Sequence, residues 1–107
     1  MSDVTLARGD TLVLTCTVSG IPSGSAIDAA RIVIGDVLDV DSDDPQVVVV
    51  DNIVTATVSA SVTDTWPSRS YPMEIKVKLD DVQATVGRVF VGRLRLLPSL
   101  IGDDVPA

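Results

Sequence analysis

Histidine is absent from this chain. Its absence removes the side chain most often used as a general base or a metal ligand near neutral pH. Cysteine occurs once, at Cys16, so no disulfide can close within the chain. Trp66, Tyr71 and Phe90 are the only aromatics, and Glu74 is the only glutamate. No apolar run approaches the ~20 residues of a membrane-spanning helix, and the first residues lack the apolar core of a secretion signal. Basic residues number eight against fifteen acidic ones, a net charge of −7. Such a surface argues against nucleic acid and anionic membrane as partners, because both call for basic patches.

What the chain has in excess is valine, at nineteen of its 107 residues. A branched Cβ fits a pleated surface better than a helix. One domain of this length buries roughly two-thirds of its unfolded surface, enough for a core without metal or disulfide. The acid is almost all aspartate, which prefers turns and caps, so charge is expected in loops.

The clearest pattern is a period of two. Val54, Ala56, Val58, Ala60 and Val62 are apolar, and small polar residues separate them. Nine residues of faultless alternation predict a strand with one wet and one dry face. The same alternation marks residues 11–19, with Leu12, Leu14, Cys16 and Val18 inward, and residues 71–79, with Tyr71, Met73, Ile75, Val77 and Leu79 inward. Val4 and Leu6 suggest a short first strand, and Arg8-Gly9-Asp10 a turn after it. Residues 29–40 form a further strand region with a bulge or bend at Gly35-Asp36, and residues 82–97 a last long strand, or two strands broken near Gly87 or Gly92, that Pro98 ends. No segment carries the 3.6-residue period of a useful helix. Seven to eight short strands between turns predict an all-β, antiparallel, immunoglobulin-like β-sandwich over residues 1–98, followed by an apolar-then-acidic tail at 99–107.

Tyr71 opens a strand after a loop that crosses between sheets. Either it is a tyrosine corner, its hydroxyl reaching back to upstream backbone, or it is a strand-end tyrosine half-buried for its area. Met73 stands two residues later, where an antibody domain has its second cysteine, and Cys16 lies in the strand that would carry the first. Cys16 reads as a small buried hydrophobe. Trp66-Pro67 centre the crossing loop.

Asp39, Asp41 and Asp43 are spaced like oxygen donors for calcium, but the positions that a helical calcium loop needs as glycine and glutamate hold Asp44 and Val50. A solvated turn is the expectation, with no metal and no cofactor. Arg8-Gly9-Asp10 spells an integrin-type tripeptide, but such triplets are common by chance and the expectation is a turn between the first two strands. With no histidine, and with Lys76 and Lys78 on an open strand face, nothing converges on catalysis. Two segments read as surfaces for partners. One is the valine run 46–50, through Val47 and Val49; the other is 96–101, through Leu97, Leu100 and Ile101. Arg93 and Arg95 share a strand face; they read either as charges paired within the molecule or guarding a sheet edge, or as charge offered to aspartates of a neighbouring copy.

The order of these signals resembles the immunoglobulin-like N-terminal domain of tailed-phage upper baseplate proteins and related small phage virion proteins. The segments that carry the resemblance are residues 8–14, 29–34, 58–65, 67–77 and 85–96. One departure is Ser68-Arg69-Ser70 before Tyr71, where the family has a glycine; another is the acidic stretch 36–44. The resemblance implies a non-enzymatic virion protein that docks on other virion proteins in several copies, made in a bacterial cytoplasm. It supplies no catalytic residues. The alternative expectation is a sandwich that presents loops to carbohydrate or host surface, for which Trp66 is the candidate stacking residue.

Overall fold

The computed structural model describes residues 2–22, 24–81 and 85–100. Eight strands run in chain order: β1 (Ser2–Ala7), β2 (Leu12–Thr17), β3 (Ile27–Ile34), β4 (Leu38–Asp41), β5 (Val47–Val50), β6 (Ile53–Val58), β7 (Ser70–Leu79) and β8 (Val86–Leu97). A single helical turn, α1 (Ala60–Thr63), lies between β6 and β7. One sheet has the order β1-β8-β7-β3-β4 and the other β2-β6-β5. The chain is an all-β sandwich of eight strands.

Every neighbouring pair is antiparallel except one. β1 runs parallel to β8, with Ser2 beside Gly92 and Ala7 beside Leu97. This corrects the wholly antiparallel expectation. The cause is the turn at Arg8-Gly9-Asp10, where Gly9 takes φ 90°. It carries the chain from β1 into the opposite sheet, so β1 is no hairpin partner of β2 and pairs with the last strand instead.

The alternation found in the sequence becomes the core. Leu12 and Leu14 of β2 and Val54, Ala56 and Val58 of β6 point inward from one sheet. Ile32 and Ile34 of β3, Met73, Ile75 and Val77 of β7, and Leu94 and Leu96 of β8 meet them from the other. Each such branched side chain contributes roughly 1.5–3 kcal/mol when fully buried.

Tyr71 is a tyrosine corner. Its ring is buried and its hydroxyl donates to the Pro67 carbonyl. Trp66 packs edge-on against it at 6.4 Å, and the Arg69 guanidinium lies 4.7 Å above its ring centre. The β3–β4 hairpin turn closes on the same ring. Gly35 there takes φ 47°, its N–H donates to the Pro72 carbonyl, and an added Cβ would stand 2.8 Å from Tyr71 Cδ1. The bend expected at Gly35-Asp36 is thus a complete reversal, with Ile34 paired to Leu38.

The perfect alternation does not give a nine-residue strand. β6 ends at Val58, and α1 follows. Ser59 is extended and its carbonyl accepts from the N–H groups of Val62 and Thr63. The buried Thr63 hydroxyl then bonds the Asp10 carbonyl at 2.7 Å. That contact ties the crossing to the β1–β2 turn and outweighs local strand preference. Val62, inward by parity, is left exposed.

A bulge reshapes β8. Ile75 pairs with Phe90 but Lys76 pairs with Arg88, so Val89 has no opposite on β7. By strict alternation Arg88 and Arg93 would face opposite sides. The extra residue brings them to the same side.

Candidate docking surfaces

The outward side of the three-stranded sheet is built from three rows across the strands. Val13 lies opposite Thr57, whose N–H donates to the Gln46 carbonyl. Thr15, Thr55 and Val48 form the next row, and Thr17, Ile53 and Val50 the last. None of these residues is charged. Val13 is 57% exposed, Val48 50%, Val50 59% and Ile53 39%. The threonines suit strand geometry and keep the face wettable through their hydroxyls. β5 is also an edge strand, and neither a charge nor a proline interrupts Val47–Val50. Sheet edges are usually blunted by such residues.

The outward side of the five-stranded sheet is its opposite in character. It carries Arg31 on β3, Lys76 and Lys78 on β7, and Arg88, Arg93 and Arg95 on β8. Glu74 sits between Lys76 at 3.7 Å and Arg88 at 3.6 Å. Arg31 grips Asp39 of β4 through two hydrogen bonds of 2.8 and 2.6 Å. That grip raises the Arg31 pKa and lowers that of Asp39, the hydrogen bond being the main cause in both. Lys78, Arg93 and Arg95 have no ion pair among the described residues. A shallow trough of about 460 Å³ crosses this side, lined by Val33, Pro72 and Val91 and by the charged Glu74 and Arg93.

The residues singled out from sequence fall into three groups. Val47 is a correction: it turns into the core at 4% exposure, and Val49 packs partly against the same core. Val48 and Val50 face outward in their place. The two-residue turn Asp51-Asn52 pairs Val50 with Ile53 and so sets this parity. Because Val54, Ala56 and Val58 are inward, that turn was the signal in the sequence that points to Val48, Val50 and Ile53. Nothing local marked Val13 as part of the same face.

Arg93, Arg95 and Leu97 do share the outward side of β8, and Leu100 is fully exposed. Ile101 lies outside the described residues. The aspartate series is occupied by local structure. Asp39 holds Arg31, and Asp41 Oδ1 accepts from the Asp43 N–H at 3.0 Å. Among the described residues no three acidic or cysteine side chains converge on a point.

Cys16 is half-buried on the inward side of β2, its Sγ 3.9 Å from the Val89 carbonyl. Burial raises its thiol pKa, which disfavours the reactive thiolate. Met73 is buried in the core, and so is Trp66 at 4% exposure. Trp66 therefore presents no ring face for stacking on a sugar. Arg8 pairs with Asp64 at 3.6 Å and Gly9 is buried, so the Arg8-Gly9-Asp10 tripeptide forms a turn braced against α1.

Compared with known proteins, the chain matches no protein-family model and no curated protein sequence.

Proposed function

We propose that this chain is a non-enzymatic docking module of a bacteriophage particle, joined to other virion proteins through the outward side of its three-stranded sheet. The observation that carries the reading is the uncharged face around Val13, Val48, Val50 and Ile53. On a chain of net charge −7 it is where another protein approaches with least repulsion. The particle context comes from the order of the sequence motifs, through its resemblance to phage virion domains.

The size of the face points to assembly in many copies. Three strands about 4.8 Å apart and about 17 Å long present only a few hundred Å². A stable pair of free proteins needs ~800 Å² on each side. A face this small holds well when many copies engage an ordered array together. The chemistry is burial of branched side chains, with no catalytic step and no cofactor. The carbohydrate-binding alternative loses its candidate, because Trp66 lies under the corner.

The test is particle incorporation. Particles purified from cells that carry the gene should contain the chain in fixed stoichiometry by mass spectrometry, and neighbouring reading frames should encode head or tail proteins. The double variant Val48→Lys/Val50→Lys should fold and be missing from particles. Particles that lack the wild-type chain, or that retain the variant in full, would overturn the reading.

A further inference from the structure

The trough on the five-stranded sheet has features of a peptide seat. Val33, Pro72 and Val91 give it apolar walls, and the Gly35 backbone adds to its lining. Arg93 stands at its rim, and Arg95 lies two residues further along β8 on the same side. Two residues of strand span roughly 7 Å. Outward on β7 and β8 stand five cations, Lys76, Lys78, Arg88, Arg93 and Arg95, against Glu74, which also lines the trough, and Asp3 of β1, which lies in register with Arg93. The Glu74 carboxylate is shared between Lys76 and Arg88, so Arg93 and Arg95 remain as the charges beside the trough with no ion pair among the described residues.

The same chain contains a segment of matching chemistry. Leu100 and Ile101 are apolar and adjacent, and Asp103 and Asp104 follow after one glycine. In extended form Ile101 and Asp103 are again roughly 7 Å apart. Side chains alternate in an extended chain, so Ile101 and Asp103 face the same way; Ile101 in the trough would bring the Asp103 carboxylate to Arg93 and Arg95, with Asp104 adding its charge at the margin. Leu100 is fully exposed, so this segment's first large side chain finds no seat on its own body.

We infer that residues 100–104 of one copy bind the Val33–Pro72–Val91 trough of a second copy, with Asp103 against Arg93 and Arg95 and Asp104 at the margin. The contact is head-to-tail, because the two surfaces differ. It uses the opposite side of the sandwich from the proposed docking face. A copy held in this way keeps its uncharged face open.

Charge exchange in the full chain is the test, with sedimentation velocity as the readout. Wild-type chain should show concentration-dependent self-association that weakens with added salt. Arg93→Glu/Arg95→Glu and Asp103→Lys/Asp104→Lys should each weaken it by about tenfold through like-charge contact. The four substitutions combined should restore it to within about threefold of wild type. All four positions already carry charge, and unchanged thermal melting would confirm folding. The synthetic peptide of residues 99–107 should compete and should shift the amide resonances of Val33, Val91 and Gly92.

A chain that stays monomeric at millimolar concentration would overturn the inference, as would self-association indifferent to both reversals. Trough resonances that report the segment at every dilution would also overturn it, because the seat would then be filled within one molecule. None of these outcomes alters the particle-incorporation experiment, which probes the other sheet.

Discussion

The outward sides of the two sheets keep their strands in water by different means. The five-stranded sheet does it with ions: Arg31 on Asp39, and Glu74 between Lys76 and Arg88. The three-stranded sheet does it with threonine hydroxyls and tolerates exposed Val13, Val48 and Val50. Ionic rows repel copies of themselves and discriminate among partners by sign. A neutral, branched face discriminates by shape alone and loses little when dehydrated. The contrast teaches that net charge describes this molecule poorly. Its acid lies mainly in turns and at one sheet margin, and an uncharged plane remains between them.

The sharpest way to break the contrast is to move one charge by one residue along β5. Val47→Asp sends a carboxylate into the core and should cost roughly 3 kcal/mol or more. Val48→Asp places it on the outward side and should stay within about 0.5 kcal/mol of wild type. Urea denaturation of both variants measures the difference. Equal losses would erase the distinction between the two sides of the strand.

Two glycines extend the comparison to the turns. Gly35 and Gly20 both have positive φ, but only Gly35 has Tyr71 against its missing Cβ; nothing stands within 4 Å at Gly20. Gly35→Ala should cost about 2–3 kcal/mol and Gly20→Ala about 1 kcal/mol. Thermal melts that show no gap between them would remove the ring contact from the account. Tyr71→Phe, which strips only the hydroxyl from the corner, should fall between them at about 1–2 kcal/mol.

A gentler probe is adsorption. Val48→Lys/Val50→Lys should shorten retention on a hydrophobic column, whereas Arg93→Glu/Arg95→Glu should leave it nearly unchanged. The smallest effect concerns acid. Because Arg31 lowers the folded pKa of Asp39 below its ordinary 3.8, the unfolded chain takes up that proton first as pH falls. The contribution of Asp39 is complete above its ordinary value and is lost as pH drops through the lower, folded one. Asp39→Asn should therefore flatten the stability profile only in that acid window, by a small margin because the pair is exposed.

Most of the strand pattern was legible because burial in this fold follows a period of two. Leu12, Leu14, Ile75 and Val77 could be placed inward from spacing alone. Three features were not legible in that way. Four consecutive valines have no period, so the sides of Val47 and Val48 follow only from the turn at Asp51-Asn52. Alternation through Val62 hides α1, whose cause is a hydrogen bond from Thr63 to Asp10 across 53 residues. The parallel pairing of β1 depends on which sheet the chain enters after Arg8-Gly9-Asp10, and a turn sequence does not by itself say which. The proposed docking face was half visible. Its valine edge showed in the sequence, but its union with Val13 depends on the register between β2 and β6.

The bulge at Val89 has an evolutionary consequence. β8 holds one residue more than its ladder with β7 requires. A relative lacking that codon would keep Phe90 dry and Arg88 wet, since the remaining partners already match. The same deletion elsewhere along either strand would exchange its oily and watery sides. Length variation in this half of the gene should therefore gather at one point.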